Sequence, residues 1–73
     1  MEINWEATRA NFDSKGFCQA KIARATLVDG EEVHKVTFSK ILNGKYKYMQ
    51  SPVARAVVAK LKELKVLVPK QAA

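Results

Sequence analysis

The sequence predicts an α+β domain, in which an antiparallel β-meander of three to four strands carries one amphipathic C-terminal helix on one face. Asp29-Gly30 and Asn43-Gly44 each lie between runs rich in β-branched and aromatic residues. Such dipeptides are typical of two-residue hairpin turns. After residue 51 the apolar residues recur at helical spacing instead, which predicts the helix.

The two turns define three predicted strands, which cover residues 17–28, 31–42 and 45–50. Type I′ turns at these positions pair Val28 with Glu31 and Leu42 with Lys45. Because successive side chains of a strand point to opposite faces, this register predicts one mostly apolar face, which we assign to the helix. The other face mixes lysines with aromatic and aliphatic side chains.

The first sixteen residues fit two structures. Trp5, Thr8 and Phe12 follow a helical stripe, whereas residues 13–16 suit a hairpin loop. We prefer a strand for residues 3–12, because pairing it with the next strand places its apolar side chains on the core face. A helix remains the alternative.

The C-terminal helix has clear end signals. Ser51 is a favourable N-cap and Pro52 a favourable first-turn residue. Pro69 marks the end of the helical pattern, and residues 69–73 are expected to fray. Residues 1–73 are therefore interpreted as a single small basic binding domain.

Composition argues against catalysis and against a metal or cofactor site. A chain of 73 residues uses nearly all its apolar side chains to stay folded. Cys18 and His34 are the only residues of their types, so the sequence holds no metal-ligand cluster and no nucleophile pair. We expect no enzyme activity and no cofactor.

Charge and the lack of apolar runs indicate the compartment and the class of partner. The 13 Lys and Arg residues exceed the 7 Asp and Glu residues by six, and from Val33 onward the balance is 9 − 1 = +8. A basic half of this kind suits nucleic acid or an acidic protein. No run reaches the roughly 18 to 20 apolar residues that span a bilayer, and we expect a cytoplasmic protein with no membrane partner.

The mixed face of the predicted sheet is the candidate binding surface, since lysines can meet phosphates and rings can stack on bases. Two other interpretations stay open: a second small core under the N-terminal segment, and a contact with another protein. The predicted partner-binding residues are Lys21, Phe38, Lys40, Lys45 and Lys47, with Arg55 and Lys62 on the helix.

Residues 30–67 resemble the second half of a double-stranded RNA-binding domain. The resemblance rests on His34 and Phe38 four apart, on Asn43-Gly44-Lys45, and on the helix text of residues 54–61. It implies recognition of duplex RNA by shape. The family's lysine pair at the start of its last helix is replaced here by residues 51–53, Ser-Pro-Val, so the main phosphate anchor is missing.

In size and character the whole chain is similar to phage-encoded regulators that bind host RNA polymerase. That resemblance implies a regulator that docks on a protein component of the transcription machinery, such as RNA polymerase, and blocks or displaces other factors. Direct binding of RNA or DNA is the alternative, and a small assembly or structural subunit is a further one. We expect a monomer in preference to an oligomer.

Overall fold

The computed structural model describes residues 2–70. Within these residues the chain forms four helices and one two-stranded antiparallel sheet. The elements, in chain order, are α1 (Trp5–Ser14), α2 (Gln19–Ala25), β1 (Leu27–Val28), β2 (Glu31–Glu32), α3 (Lys35–Leu42) and α4 (Pro52–Glu63). The predicted meander of three to four strands with one helix is therefore wrong.

The N-terminal segment is a helix and not the preferred strand. The Asn4 side chain caps α1 by accepting a hydrogen bond from the Ala7 N–H at 3.0 Å. Thr8 and Phe12 are fully buried, and their spacing of four residues places them on one side of a helix. The helix that was the alternative for residues 3–12 is therefore the observed structure.

The first predicted turn is confirmed. Asp29 and Gly30 have positive φ angles of 51° and 82°, and Val28 pairs with Glu31 as expected. The strands on either side are only two residues long. Most of the predicted strand at 17–28 is instead α2.

The second predicted turn is the end of a helix. Gly44 has a φ of +70°, but Asn43, at φ −87°, is the C-cap of α3. The Gly44 N–H donates to the Ile41 carbonyl and the Lys45 N–H donates to the Lys40 carbonyl, both at 2.9 Å, which is a Schellman motif. The predicted strand at 31–42 is therefore largely α3, and residues 45–50 form no strand.

The start of the C-terminal helix was predicted correctly, but the helix ends at Glu63 and not at Pro69. The Ser51 hydroxyl accepts a hydrogen bond from the Ala54 N–H at 3.2 Å, and Pro52 opens α4. After the helix the chain returns to its beginning, where the Lys70 N–H donates to the Glu2 carbonyl at 3.0 Å. Lys70 is thus paired where fraying was expected, and the rest of that predicted tail, 71–73, lies outside the described residues.

One core lies between the helices. Phe12 is its centre, with its ring centroid 5.5 Å from that of Phe17 and 5.9 Å from that of Phe38. Other fully buried side chains come from α3, α4 and the segment after α4: Ile41, Leu42, Val57, Leu61 and Val66. The core therefore fixes α1, α3 and α4 against one another.

Candidate functional site

The surface of α3 divides into a buried side and an outward face. Phe38, Ile41 and Leu42 are fully buried, and their spacing defines one side of a helix. The outward face consists of the exposed or half-exposed Lys35, Val36, Ser39 and Lys40. This face carries two cations, a hydroxyl and an aliphatic group, and no acid.

Neighbouring elements hold α3 in place from behind. It packs against α2, α1 and α4, and residues 26–34, which include the hairpin of β1 and β2, connect it to α2. The His34 Nδ1 accepts a hydrogen bond from the Val36 N–H at 3.2 Å and so caps the start of α3. His34 itself is exposed.

The C-terminal end of α3 is fastened to α1. Arg9 Nη1 donates a hydrogen bond to Asn43 Oδ1, and Asn43 Nδ2 donates to the Ser39 carbonyl at 2.8 Å. The indole of Trp5 covers Gly44. Both ends of α3 are therefore determined by side-chain contacts, which orients its outward face relative to the core.

Positive charge dominates the stretch of sequence that contains α3, although Glu32 lines the same depression as Lys35 at the start of the helix. No acidic residue occurs between Glu32 and Glu63. That interval contains seven basic residues, Lys35, Lys40, Lys45, Lys47, Arg55, Lys60 and Lys62. An acid-free stretch of this length produces a field that attracts an anionic partner.

The structure separates the predicted partner-binding residues. Lys40 lies on the outward face of α3, and the hydrogen bond from the Lys45 N–H to its carbonyl brings the two lysine backbones together. Lys45 and Lys47 are exposed in the connection between α3 and α4, and Lys21 is exposed on α2. The remaining two cations, Arg55 and Lys62, line a groove on α4.

Phe38 is not available to a partner. Its side chain is fully buried and contacts the Phe12 ring. Phe38 belongs to the main core and not to a second small core, and its neighbour Val36 is 50% exposed. The mixed sheet face on which the site prediction depended does not exist, because the residues assigned to it belong largely to helices.

A groove of about 650 Å³ runs along one side of α4. We call it the α4 groove. It is bounded by the N-terminal segment, the end of the connection before α4, and the helix itself, through Glu2, Ile3, Trp5, Met49, Gln50, Arg55, Val58, Ala59, Lys62 and Lys70. The floor is apolar and the rim is basic.

Cys18 immediately precedes α2 and is exposed. The backbone amides of Lys21 and Ala20 lower the pKa of its thiol below the usual value, and the charges of Lys21 and Arg24 act in the same direction. The sulfur accepts no capping hydrogen bond of good geometry from the helix end, so these amides act on the thiolate as nearby dipoles. With no partner cysteine in the sequence, this group alone does not define a site.

Sequence reasoning missed Lys35, Val36 and Ser39 as surface residues of one helix. A signal for them was present, because Phe38, Ile41 and Leu42 follow the i, i+3, i+4 spacing of a helix. A histidine before the run and Asn-Gly after it supply the two ends. The β-branched residues in the same segment favoured the strand interpretation.

Two classes of site find no support in the part of the chain that the structure describes. Residues 2–70 contain no group of three or more His, Cys, Asp or Glu side chains that could hold a metal ion. Among the same residues, no helix is long and apolar enough to cross a membrane.

Comparisons of the chain with protein-family models, with curated proteins and with solved structures found no match.

Proposed function

We propose that the chain is a non-catalytic regulatory protein that binds duplex DNA and places α3 in the major groove. The observation that carries the proposal is the outward face of α3, where Lys35, Val36, Ser39 and Lys40 project from a helix whose two ends are fixed. The major groove of B-form DNA is wide enough to admit an α-helix. The helix itself carries no acidic side chain that would repel the phosphates, and the nearest acids in sequence lie in the hairpin before its start.

The arrangement of α2 and α3 supports this orientation. In a helix-turn-helix, two packed helices are joined by a short turn, and the second helix enters the major groove. Here α2 packs against α3, and the hairpin of β1 and β2 takes the place of the turn. The remaining helices, α1 and α4, pack against α3 and act as its support.

Each side chain of the outward face has a counterpart on DNA. Lysine can donate to guanine O6 and N7, serine can bond to several base edges, and an aliphatic group can contact the thymine methyl. Lys35 and Lys40 therefore suit guanine or phosphate, and Val36 suits thymine. The exposed Lys21, Lys45 and Lys47 are proposed to meet phosphates, which position the protein without reading sequence.

The proposed regulation works by occupying a DNA site. Once α3 lies in a groove, the bound domain blocks access of other factors to the same DNA, so the proposed biological role is regulation of transcription in the cytoplasm. Duplex RNA is the poorer ligand for this geometry, because the major groove of A-form RNA is too deep and narrow for side chains to read.

The test measures binding to fluorescent duplex DNA and duplex RNA by anisotropy over a series of salt concentrations. We expect the logarithm of affinity to fall linearly with the logarithm of salt for DNA, with a slope that reports the number of phosphate contacts. Lys35→Ala and Lys40→Ala should each weaken binding, and a lysine that meets phosphate should reduce the slope by about one.

Lys15→Ala is the matched control. It removes the same charge from an exposed residue at the end of α1, where the ammonium group contacts the Lys65 carbonyl and not α3. The proposal fails if the wild-type protein shows no salt-dependent DNA binding. It also fails if Lys15→Ala weakens binding as much as the two α3 variants, since the effect would then be one of net charge.

Docking on a protein component of the transcription machinery, such as RNA polymerase, is the second candidate function. Exposed apolar side chains favour it, because Val36 and Tyr48 are 50% and 62% exposed and such groups often contact proteins. A pull-down with and without nuclease separates the two. Polymerase subunits retained after nuclease support this second candidate, and their loss supports DNA binding.

A further inference from the structure

We propose that the α4 groove receives the acidic hairpin of a second copy of the chain. The acidic hairpin is the segment of residues 27–32, formed by β1, the Asp29-Gly30 turn and β2. The proposal does not depend on DNA binding. It rests on the charge, the shape and the relative position of two surfaces that belong to the same molecule.

Among residues 2–70, the cations on the rim of the groove outnumber the anions. Arg55, Lys62 and Lys70 stand against Glu2 in this part of the chain, a balance of 3 − 1 = +2. The floor contains apolar groups such as Trp5 and Val58. An occupant must therefore combine negative charge with an apolar side chain that can reach the floor.

The acidic hairpin has this combination. Asp29, Glu31 and Glu32 are exposed, no Lys or Arg occurs between residues 25 and 34, and within residues 2–70 none of the three carboxylates forms an ion pair. Leu27 is 58% exposed at the same hairpin. The turn residues hold left-handed conformations in a paired ladder, so the hairpin presents these groups in a defined geometry.

A single chain cannot make this contact with itself. Leu27 lines a depression with Ala56, Lys60 and Glu63 of α4, whereas the groove uses Arg55, Val58 and Lys62 of the same helix. Ala59 lies between the two sets and borders both. At 100° per residue the two sets lie on either side of Ala59, with centres roughly 130° apart around the axis of α4. The hairpin and the groove therefore face different directions, and a hairpin can enter a groove only from another molecule.

Electrostatics selects this pairing over the alternatives. Groove against groove would bring together three cations from each copy, and hairpin against hairpin would bring together three acids from each copy, so both are repulsive. Hairpin against groove is the attractive combination. When a two-fold axis runs parallel to α4, both copies exchange hairpins and the assembly closes as a dimer.

The test is sedimentation velocity of the full chain from micromolar to millimolar concentration, without DNA. We expect reversible self-association that weakens as salt is raised. Lys62→Glu lowers the charge of the groove rim from +2 to 2 − 2 = 0, and Glu31→Lys lowers the negative charge of the hairpin from −3 to 1 − 2 = −1. Each variant alone should associate roughly tenfold more weakly or worse.

Mixing the two variants is the decisive measurement. In the mixture the unchanged hairpin of Lys62→Glu can enter the unchanged groove of Glu31→Lys, and the lysine introduced in the second hairpin can meet the glutamate introduced in the first groove. Association should therefore be stronger in the mixture than in either variant by itself. Lys15→Glu, the same reversal outside both surfaces, should leave association unchanged.

Three results would overturn the proposal. One is a wild-type chain that stays monomeric throughout the concentration range, and another is self-association that neither substitution weakens. The third is a mixture that associates no more strongly than each variant alone, while circular dichroism shows both variants folded. All three substituted positions are exposed, so loss of folding is not the expected outcome, and the outward face of α3 is left free for a separate DNA measurement.

Discussion

The indole of Trp5 lies directly against Gly44, so that a Cβ atom added at this glycine would stand 2.9 Å from Trp5 Cδ1 and 3.0 Å from Cγ. Gly44 also has a φ of +70°, a conformation that L side chains avoid. The glycine therefore serves two purposes at the end of α3. It ends the helix, and it lets the first residue of α1 approach the backbone.

Gly44→Ala should destabilise the protein by more than the left-handed backbone alone accounts for. That conformation costs about 1–2 kcal/mol for a residue with a Cβ, and the clash with Trp5 adds to it. The free energy of unfolding is measured by urea titration, with circular dichroism as the signal.

Gly16→Ala is the control for that prediction. Gly16 has a similar φ of +74°, but an added Cβ would meet nothing within 4 Å. The difference between the two alanine variants isolates the Trp5 contact. Equal losses of stability in the two variants would contradict a close approach of Trp5 to Gly44.

Gly44 also shows why the sequence misled the fold prediction. A glycine in a tight hairpin and a glycine after a helix are both selected for positive φ, so Asn43-Gly44 is compatible with either. The Asp29-Gly30 turn was predicted correctly because both of its residues take positive φ. Deciding between the two structures required the period of the preceding apolar residues, which local β propensity obscured.

The candidate site was predictable only where the helical period was recognised. Arg55 and Lys62 lie together in the α4 groove because residues seven apart share one side of a helix. This helix could be predicted because its cap and its periodicity agree. Lys35 and Val36 were missed because the predicted strand points these neighbours to opposite faces, whereas the helix places both on its outward face. The burial of Phe38 followed from contacts with α1, distant in sequence.

Lys65→Gly should stabilise the protein. Lys65 follows the C-cap of α4 with a φ of +61°, and the Val66 N–H bonds to the Leu61 carbonyl at 3.2 Å in the pattern of a Schellman motif. Because glycine occupies this conformation without the steric cost, we expect a gain of about 1 kcal/mol in the free energy of unfolding.

The matched control for Lys65→Gly is Lys15→Gly. Lys15 is the C-cap of α1 with an ordinary φ of −85°, so the same chemical change should destabilise there, through the greater freedom of glycine in the unfolded chain. Thermal unfolding of the two variants gives the comparison. A loss of stability in both would contradict the left-handed conformation of Lys65.

Thr8→Val should destabilise the protein although valine has nearly the same shape. The buried Thr8 hydroxyl accepts a hydrogen bond from the Val68 N–H at 3.0 Å and so holds the C-terminal segment against α1. Valine leaves that N–H without an acceptor, at a cost of about 1–3 kcal/mol. Urea titration measures the loss.

Two variants test the cause of the Thr8 effect. Thr8→Ser keeps the acceptor and should retain the protection of the Val68 amide against hydrogen exchange. Thr37→Val makes the same change at a half-exposed residue of α3 and should alter stability by no more than about 0.5 kcal/mol. Unchanged exchange of the Val68 amide in Thr8→Val would show that the bond is not made.

Cys18 should react with iodoacetamide at lower pH in the folded protein than in the unfolded chain. The amides of Lys21 and Ala20 lower the pKa of its exposed thiol, and the thiolate is the reactive form. Because the folded-state pKa is the lower one, the stabilising contribution of the thiolate is present above the unfolded-state pKa and is lost as pH falls through the folded-state value.

Alkylation rates measured against pH, in buffer and in urea, give the two midpoints, and Cys18→Ser serves as the blank. Coincident midpoints would mean that the start of α2 does not stabilise the thiolate.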